Sequence, residues 1–377
     1  MPLNNPSMDS RGVVVAYTPD RHDHASEHER VSLVEFSRRL AALRGYDAGG
    51  VYQPSKLYRG HVYFVPSITL IRDEAAALGI RGPDDLFGGV VPHAFVATKA
   101  ISHPLVAPDA AALAGWNPAF AAQVGDAVLD GYTAFNHGDA RRAGRRLLAR
   151  GPLRIKPVLA SGGHGQSVAR DGGQLQRLLD AIDPNEVISH GLVLEQDLND
   201  VRTFSVGQVR VADLTASYFG VQRLTRNNRG DEVFGGSDLT VVRGEFDELL
   251  ALGPAPEIRC ALEQARRYDT AVRACFAGFF ASRINYDIAL GRDAAGCPRS
   301  GVLEQSWRVG GATGPELAAL EVFRRQPGCK RVRAAGFEIF GENPQPPAHA
   351  IVHFRGTDPQ VGRLTKYTVI EPDADPR

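Results

Sequence analysis

The chain has 377 residues, enough for two or three domains with substantial cores. Acidic and basic side chains balance at 43 each, so no global field draws the chain to nucleic acid or to an anionic membrane. The four cysteines, Cys260, Cys275, Cys297 and Cys329, show no C-x-x-C spacing; this argues against a zinc knuckle or disulfide frame and predicts reduced thiols in a cytoplasmic protein.

No apolar run approaches the roughly 20 residues that span a bilayer. The first residues, Met1 to Met8, carry neither a basic n-region nor a hydrophobic h-region, so no secretory signal is expected. Residues 1–10 are expected to form a disordered tail. Gly12-Val-Val-Val-Ala-Tyr17 is a compact apolar run suited to a buried strand. The cluster His22-Asp-His24, with His28, reads as an exposed polar loop before a helix. That helix runs from about Glu27 to Arg44 and carries Leu33, Phe36, Leu40 and Leu43 on one face. A second strand at His61–Val65 and a helix around Asp73–Leu78 follow. Strands alternating with helices predict an α/β layer with a mainly parallel sheet, closed by residues 85–92.

From Lys99 the pattern changes to Ala-rich helices, then to the stretch Arg154-Ile-Lys-Pro-Val-Leu-Ala-Ser-Gly-Gly-His-Gly-Gln166. It places Lys156 on a short apolar strand and follows it with a small-residue loop. Glycine permits positive φ and close backbone approach, and successive unpaired N–H groups form a concave anion site. No G-x-x-x-x-G-K-[ST] motif occurs, and Val168 stands where a dinucleotide fingerprint needs its third glycine. Taken alone, the stretch is a turn after a strand. A helix at Gln174–Ile182 and an apolar strand at Gly191–Leu198, ending in acidic residues, come next.

Two short runs, Thr203–Val206 and Val209–Val211, are split by Gly207-Gln208 and predict an antiparallel hairpin. A long helix is expected from Pro256 to Ser282, burying Ile258, Leu262, Val272, Phe276 and Phe279. Arg283–Leu290 and Val302–Arg308 read as strands joined by a polar turn region. Because strand side chains alternate faces, Arg283, Asn285 and Asp287 share one face, and Glu304, Ser306 and Arg308 share another. If the strands pair, Asp287 meets Glu304, and two convergent carboxylates suit Mg²⁺. Taken singly, Asp287 reads as a strand-end acid in a salt bridge, with Arg308 a candidate partner, and Glu304 as a solvated strand residue. Pro344–Pro347 and two short strands, Ala350–Phe354 and Tyr367–Ile370, end the pattern.

The order of these features resembles the ATP-grasp superfamily over Phe95 to Thr313, with a preceding region similar to that family's N-terminal domain. Within it the chain looks like a proteobacterial branch described as a domain of unknown function. The resemblance implies α/β and α+β architecture: an N-terminal α/β domain (11–95), then a central subdomain (96–198) and a C-terminal subdomain (199–330) clamping the nucleotide, and a C-terminal extension (331–377). It implies ATP and Mg²⁺ as cofactors and a small-molecule carboxylate activated as an acyl phosphate for an amine or thiol. Lys99 and Lys156 would contact the phosphates, and the loop Ser161, Gly162, Gly163, His164 and Gly165 would close over them. Glu195, Gln196 and Leu198 would form the hinge for adenine and ribose. Asp287 and Glu304, with Ser306, would hold Mg²⁺, and Arg308 would face the reacting phosphoryl group.

Asp200-Val-Arg-Thr-Phe-Ser-Val-Gly resembles the matching strand of amino-acid-adding ligases, which would point Arg202 at substrate or phosphate; Arg223 and Arg226 are further candidates. Two positions depart from the pattern. Ser306 replaces an asparagine in Glu-x-Asn, and Asn285 replaces an arginine two residues before the first metal acid, leaving charge stabilisation to Arg283, Arg202 or Arg223. The resulting expectation is an ADP-forming ligase acting on small molecules without nucleic acid or membrane partners, with a homodimer as the commonest soluble assembly. A nucleotide-binding regulatory protein with a decayed site and a small-molecule kinase are the alternatives.

Overall fold

The computed structural model describes residues 12–22, 26–159, 165–341 and 344–371. The expected tail, His24 and the loop residues Ser161, Gly162, Gly163 and His164 lie outside the described residues. β1 (Gly12–Tyr17) is the centre of a three-stranded parallel sheet, between β2 (Asp47–Val51) and β3 (His61–Pro66). Both of its faces are covered, which is why it reads as an unbroken apolar run. α1 (Glu27–Arg44) has the expected span. The Ser26 N–H donates to the Glu29 carboxylate at 2.9 Å, closing a capping box, and Gly45 at φ +66° ends the helix in the left-handed region. β4 (Leu70–Ile71), α2 (Arg72–Ala77) and β5 (Gly89–Val91) complete this region.

The next layer contains α3 (Pro118–Val124), β6 (Gly131–Ala134), α4 (His137–Leu148), β7 (Leu153–Pro157), β8 (Ser167–Ala169), α5 (Gly172–Asp180), α6 (Pro184–His190) and β9 (Leu192–Gln196). Its strands form a four-stranded antiparallel sheet in the order β6-β9-β7-β8. Leu153 and Ile155 of β7 pack with Ala143 and Leu147 of α4 and Leu175 and Leu179 of α5. The same alternation turns Arg154 and Lys156 to the opposite side. β7 pairs antiparallel with β8, Ile155 lying opposite Ser167.

The largest sheet has eight strands and is antiparallel throughout: β10 (Asn199–Val211), β11 (Leu214–Arg226), β12 (Glu232–Arg243), β14 (Arg283–Arg292), β15 (Pro298–Ser306), β16 (Arg331–Phe340), β17 (Ile351–Asp358) and β18 (Gly362–Glu371). Their order is β15-β14-β10-β11-β12-β16-β18-β17. α7 (Phe246–Ala251) and α8 (Pro256–Cys275) lie on one face, where Tyr268 and Val272 meet Ile284, Tyr286 and Ile288. On the other face α9 (Thr313–Arg325) packs Leu317, Leu320 and Phe323 against Val209, Tyr218 and Val241.

Three expectations are corrected. The hairpin expected at Gly207-Gln208 is one uninterrupted strand, β10; the turn comes at Ala212-Asp213, with Ala212 at φ +53°. Gly207 marks close approach: a Cβ there would collide with the Tyr218 hydroxyl and the Ile284 carbonyl. The long helix stops at Cys275, because Gly278 takes φ +87° and β13 (Phe280–Ala281) then pairs with β5. Residues 331–371, expected as an extension, supply β16, β17 and β18 of the eight-stranded sheet, so the break at 330 falls inside one sheet.

Gly207→Ala is expected to lower stability by about 1–3 kcal/mol through overpacking against Tyr218. Urea denaturation followed by circular dichroism measures this, and an unchanged midpoint contradicts the close approach.

Candidate functional site

A cavity of about 520 Å³ opens between the four-stranded sheet and the α9 face of the eight-stranded sheet. Its walls bring together Lys99, Lys156, Glu195, Gln196 and Leu198 from one side and Asp287, Glu304, Ser306 and Arg308 from the other. The residues on β14 and β15 meet through register. Asp287 lies opposite Glu304 and Asn285 opposite Ser306, while Ile288 pairs with Val302. The unpaired residue between them, Leu303, is a β-bulge. It lets Val302 enter the core while Glu304 and Ser306 stay on the cavity face.

Lys99 begins a short 3-10 turn, Lys99–Ser102, capped by the Thr98 hydroxyl. The Gln305 amide on β15 donates to the carbonyls of Val96 (2.9 Å) and Thr98 (2.7 Å), which ties that turn to the acidic strand. Lys99 Nζ lies 3.0 Å from Glu304 Oε2. Lys156 forms an ion pair with Glu195, both side chains being under 5 % exposed. The other Glu195 oxygen is 3.1 Å from His103 Nε2. Burial by itself would raise the Glu195 carboxyl, but the Lys156 ammonium and His103 hold it down to about 2.

Asp287 behaves in the opposite way. Burial and the neighbouring Glu304 charge push it up to about 6, against hydrogen bonds from Asn285 (2.9 Å) and Ser205 (3.3 Å). Two facing carboxylates, one held above its ordinary range, are a pair that a hard divalent cation would relieve. Among the described residues no group of three or more His, Cys, Asp or Glu converges, so a cation here would take its remaining oxygens from water or ligand. Arg308 lines the same cavity and donates to the Val309 carbonyl at 2.6 Å. No carboxylate among the described residues pairs with it. Burial and the nearby Arg283 lower its pKa.

Several expected residues lie elsewhere. In β10 the cavity-facing residues are Val201, Thr203 and Ser205, so Arg202 points to the α8 side and stacks over Phe204, 5.2 Å from the ring centroid. In β11 Gln222 and Leu224 face the cavity; Arg223 turns away, pairs with Asp238 and covers the Phe337 ring. Arg226 donates to the Gly230 carbonyl at the exposed turn. Gly165 has φ +67° but is not part of the wall, whereas its neighbour Gln166 is. Arg283, by contrast, reaches the cavity wall but is committed to Glu316 at 2.8 Å. His28 pairs with Asp358 and His22 with Ser67.

Sequence reasoning missed Arg154, His103, Ser205, Gln222 and Gly310-Gly311. Arg154 was recoverable, since it shares the face of Lys156. It bonds Asp197 at 2.7 Å and reaches toward Gln166. His103 carried no signal, because only folding brings it to Glu195.

The architecture is that of the ATP-grasp proteins. It is similar to biotin carboxylase from Campylobacter jejuni, solved as a β,γ-ATP complex, with a TM-score of 0.51 and 9 % identity over 96 % of this chain and 87 % of that one. Phosphoribosylamine–glycine ligase from Thermotoga maritima (TM-score 0.49, 14 % identity, 95 % and 92 % coverage) and D-alanine–D-alanine ligase from Bacillus anthracis (0.45, 12 %, 82 % and 92 %) are also similar. A family model matches residues 15–368, and the chain belongs to that family, described as "Protein of unknown function (DUF3182)". No curated protein matches the sequence. No helix among the described residues is long and apolar enough to cross a membrane.

Glu195→Gln leaves the buried Lys156 ammonium without its counter-charge, and stability at pH 7 should fall by about 3–5 kcal/mol, read from denaturant midpoints. For Asp287 the sign is reversed. Between the ordinary carboxyl value and about 6 the native state binds the extra proton, so this group's contribution to stability declines as pH rises through that window. Asp287→Asn should therefore raise the melting temperature at pH 8 without divalent cations, and raise it less at pH 4. A lower melting temperature at pH 8 contradicts the assignment.

Proposed function

We propose that this chain is an ATP-dependent ligase. It would activate a small-molecule carboxylate as an acyl phosphate, which an amine or thiol then intercepts, releasing ADP and phosphate. The observation that supports this reading is the meeting of Lys99 and Lys156 with Asp287 and Glu304 around one cavity in an ATP-grasp fold. The nucleotide would lie between the subdomain of residues 96–198 and the sheet that begins at 199.

Asp287 and Glu304, with the Ser306 hydroxyl beside them, would hold Mg²⁺, which neutralises phosphate charge when bound. Lys156 and Lys99 would donate to phosphate oxygens, each exchanging a carboxylate partner for an anion of higher charge. Glu195 holds the Lys156 ammonium at the strand end before a nucleotide arrives, and the hinge from Glu195 to Leu198 would carry the base and ribose. Arg308, the cavity guanidinium without a carboxylate partner among the described residues, is the group available to the transferring phosphoryl. Phosphoryl transfer asks little covalent chemistry of a protein, so positioning and fixed charge supply the rate, and no protein nucleophile is needed. Arg202 and Arg223 have no part in this reading.

A second reading, a nucleotide-binding regulatory protein, is favoured by Ser306 and by the Lys99–Glu304 contact, which occupies one of the acids. ADP formation separates the two. The full-length protein is incubated with ATP, Mg²⁺ and pooled carboxylates, with and without amines and thiols. ADP should appear only when acid and acceptor are both present; ADP with the acid alone, and a stable phosphorylated product, would identify a kinase. Lys156→Ala, Asp287→Ala and Glu304→Ala should each cut turnover by about 100-fold or more while circular dichroism is retained. Unchanged turnover in all three refutes the site, and tight ATP binding with no ADP in any mixture supports the regulatory reading.

A further inference from the structure

A connected set of buried polar groups runs from the cavity wall to Glu316 and Tyr218 behind it, two residues to which the proposed reaction assigns no role. Glu316, in the first turn of α9, has no exposed surface, and Arg283 is 1 % exposed. They meet through three contacts, Arg283 Nη2 to Oε1 at 2.8 Å, Nε to Oε2 at 3.0 Å and Nε to Oε1 at 3.2 Å. Two arms leave this pair. On the β15 side, Arg283 Nη1 donates to the Ser306 carbonyl at 3.1 Å, to the Ser306 hydroxyl at 3.3 Å and to the Arg308 carbonyl. On the β14 side, the Tyr218 hydroxyl lies 2.6 Å from Glu316 Oε1 and 2.9 Å from Asn285 Oδ1, and Asn285 Nδ2 donates to Asp287 Oδ1 at 2.9 Å.

An ion pair buried this deeply adds little net stability, because desolvation offsets the attraction. What a connected buried network supplies is rigidity. Here both arms end on the residues that face each other across β14 and β15. The asparagine at position 285, where the resembled family carries arginine, thereby has a specific task. Its carbonyl shares the single Tyr218 hydroxyl proton with Glu316, and its amide N–H points at Asp287. Gly207 serves the same arrangement, since any Cβ there would displace the Tyr218 hydroxyl.

We propose that Glu316 and Tyr218 are positioning residues of the cation site: through Asn285 and Arg283 they fix the Asp287 carboxylate and the Ser306–Arg308 segment opposite one another. This rests on reading the cavity as a nucleotide and cation site. Groups behind metal ligands typically change metal affinity by about 10- to 100-fold when lost.

The test is Mn²⁺ binding to the full chain, followed by electron paramagnetic resonance in the presence of a non-hydrolysable ATP analogue. Tyr218→Phe keeps the ring and removes only the hydroxyl. Its Mn²⁺ dissociation constant should rise by about 10-fold, while affinity for the analogue without divalent cation stays within about twofold. Asn285→Ala cuts the same line nearer the ligand and should also weaken Mn²⁺; the double variant should be no weaker than Asn285→Ala alone, because groups acting in series are not additive. Wild-type Mn²⁺ affinity in Tyr218→Phe, or losses that multiply in the double variant, overturn the proposal. Should Tyr218→Phe fail to fold, unchanged Mn²⁺ affinity in a folded Asn285→Ala overturns it equally. If the wild-type protein binds analogue and Mn²⁺ but the variants match it, only this inference fails. If the wild type binds neither, the underlying reading of the site fails with it.

Discussion

The antiparallel pairing of β14 with β15 is the constraint on which the rest of the cavity depends. It sets Asp287 opposite Glu304 in a partly buried wall, where two like charges repel and neither is fully hydrated. Burial and that repulsion hold Asp287 above its ordinary range, so two ionised carboxylates side by side on this wall are electrostatically unfavourable. Such an arrangement persists only if the surrounding structure over-determines it. The bulge at Leu303, the Gln305 bonds to the Val96–Thr98 segment and the Glu316–Arg283 pair all do so.

The cavity is also nearly balanced in charge. Lys99 faces Glu304, Lys156 faces Glu195, Arg154 faces Asp197 and Arg283 faces Glu316. Each pair compensates a charge that burial would otherwise make costly. The pairs differ in what surrounds them. Glu195 is enclosed by Lys156 and His103 and holds its charge firmly, whereas Glu304 is about one-third exposed and open to exchange. Arg308 alone lines the cavity without an acidic partner among the described residues. A polyanion with a divalent cation would satisfy both the surplus of facing carboxylates and this remaining guanidinium.

Much of the site was legible in the chain. Lys156 stood out because it sits on a short apolar strand followed at once by a small-residue loop, and folding set Glu195 beside it as an ion partner. Asp287 and Glu304 stood out because alternation placed acids on matching faces of two candidate strands. Arg202 and Arg223 misled for a related reason. Both sit in recognisable strands, but on the face covered by α8 and on the face bearing Asp238, one residue out of phase with the cavity positions Ser205 and Gln222. Gly207 misled differently, since glycine marks both turns and tight contacts, and only the phenol of Tyr218, folded against it, tells them apart.

The sequence by itself determined which residues share a face, because a strand's period of two is local and needs no partner. It also determined the helix from Glu27 to Arg44, through a capping box and a terminal glycine that act within a few residues. Only the tertiary structure decided which face of each strand met the cavity, where the bulge shifted the register, and that residues 331–371 joined the main sheet. Alternation leaves the absolute face undetermined, and it takes the packing of α8 and α9 on opposite sides of the sheet to choose between them.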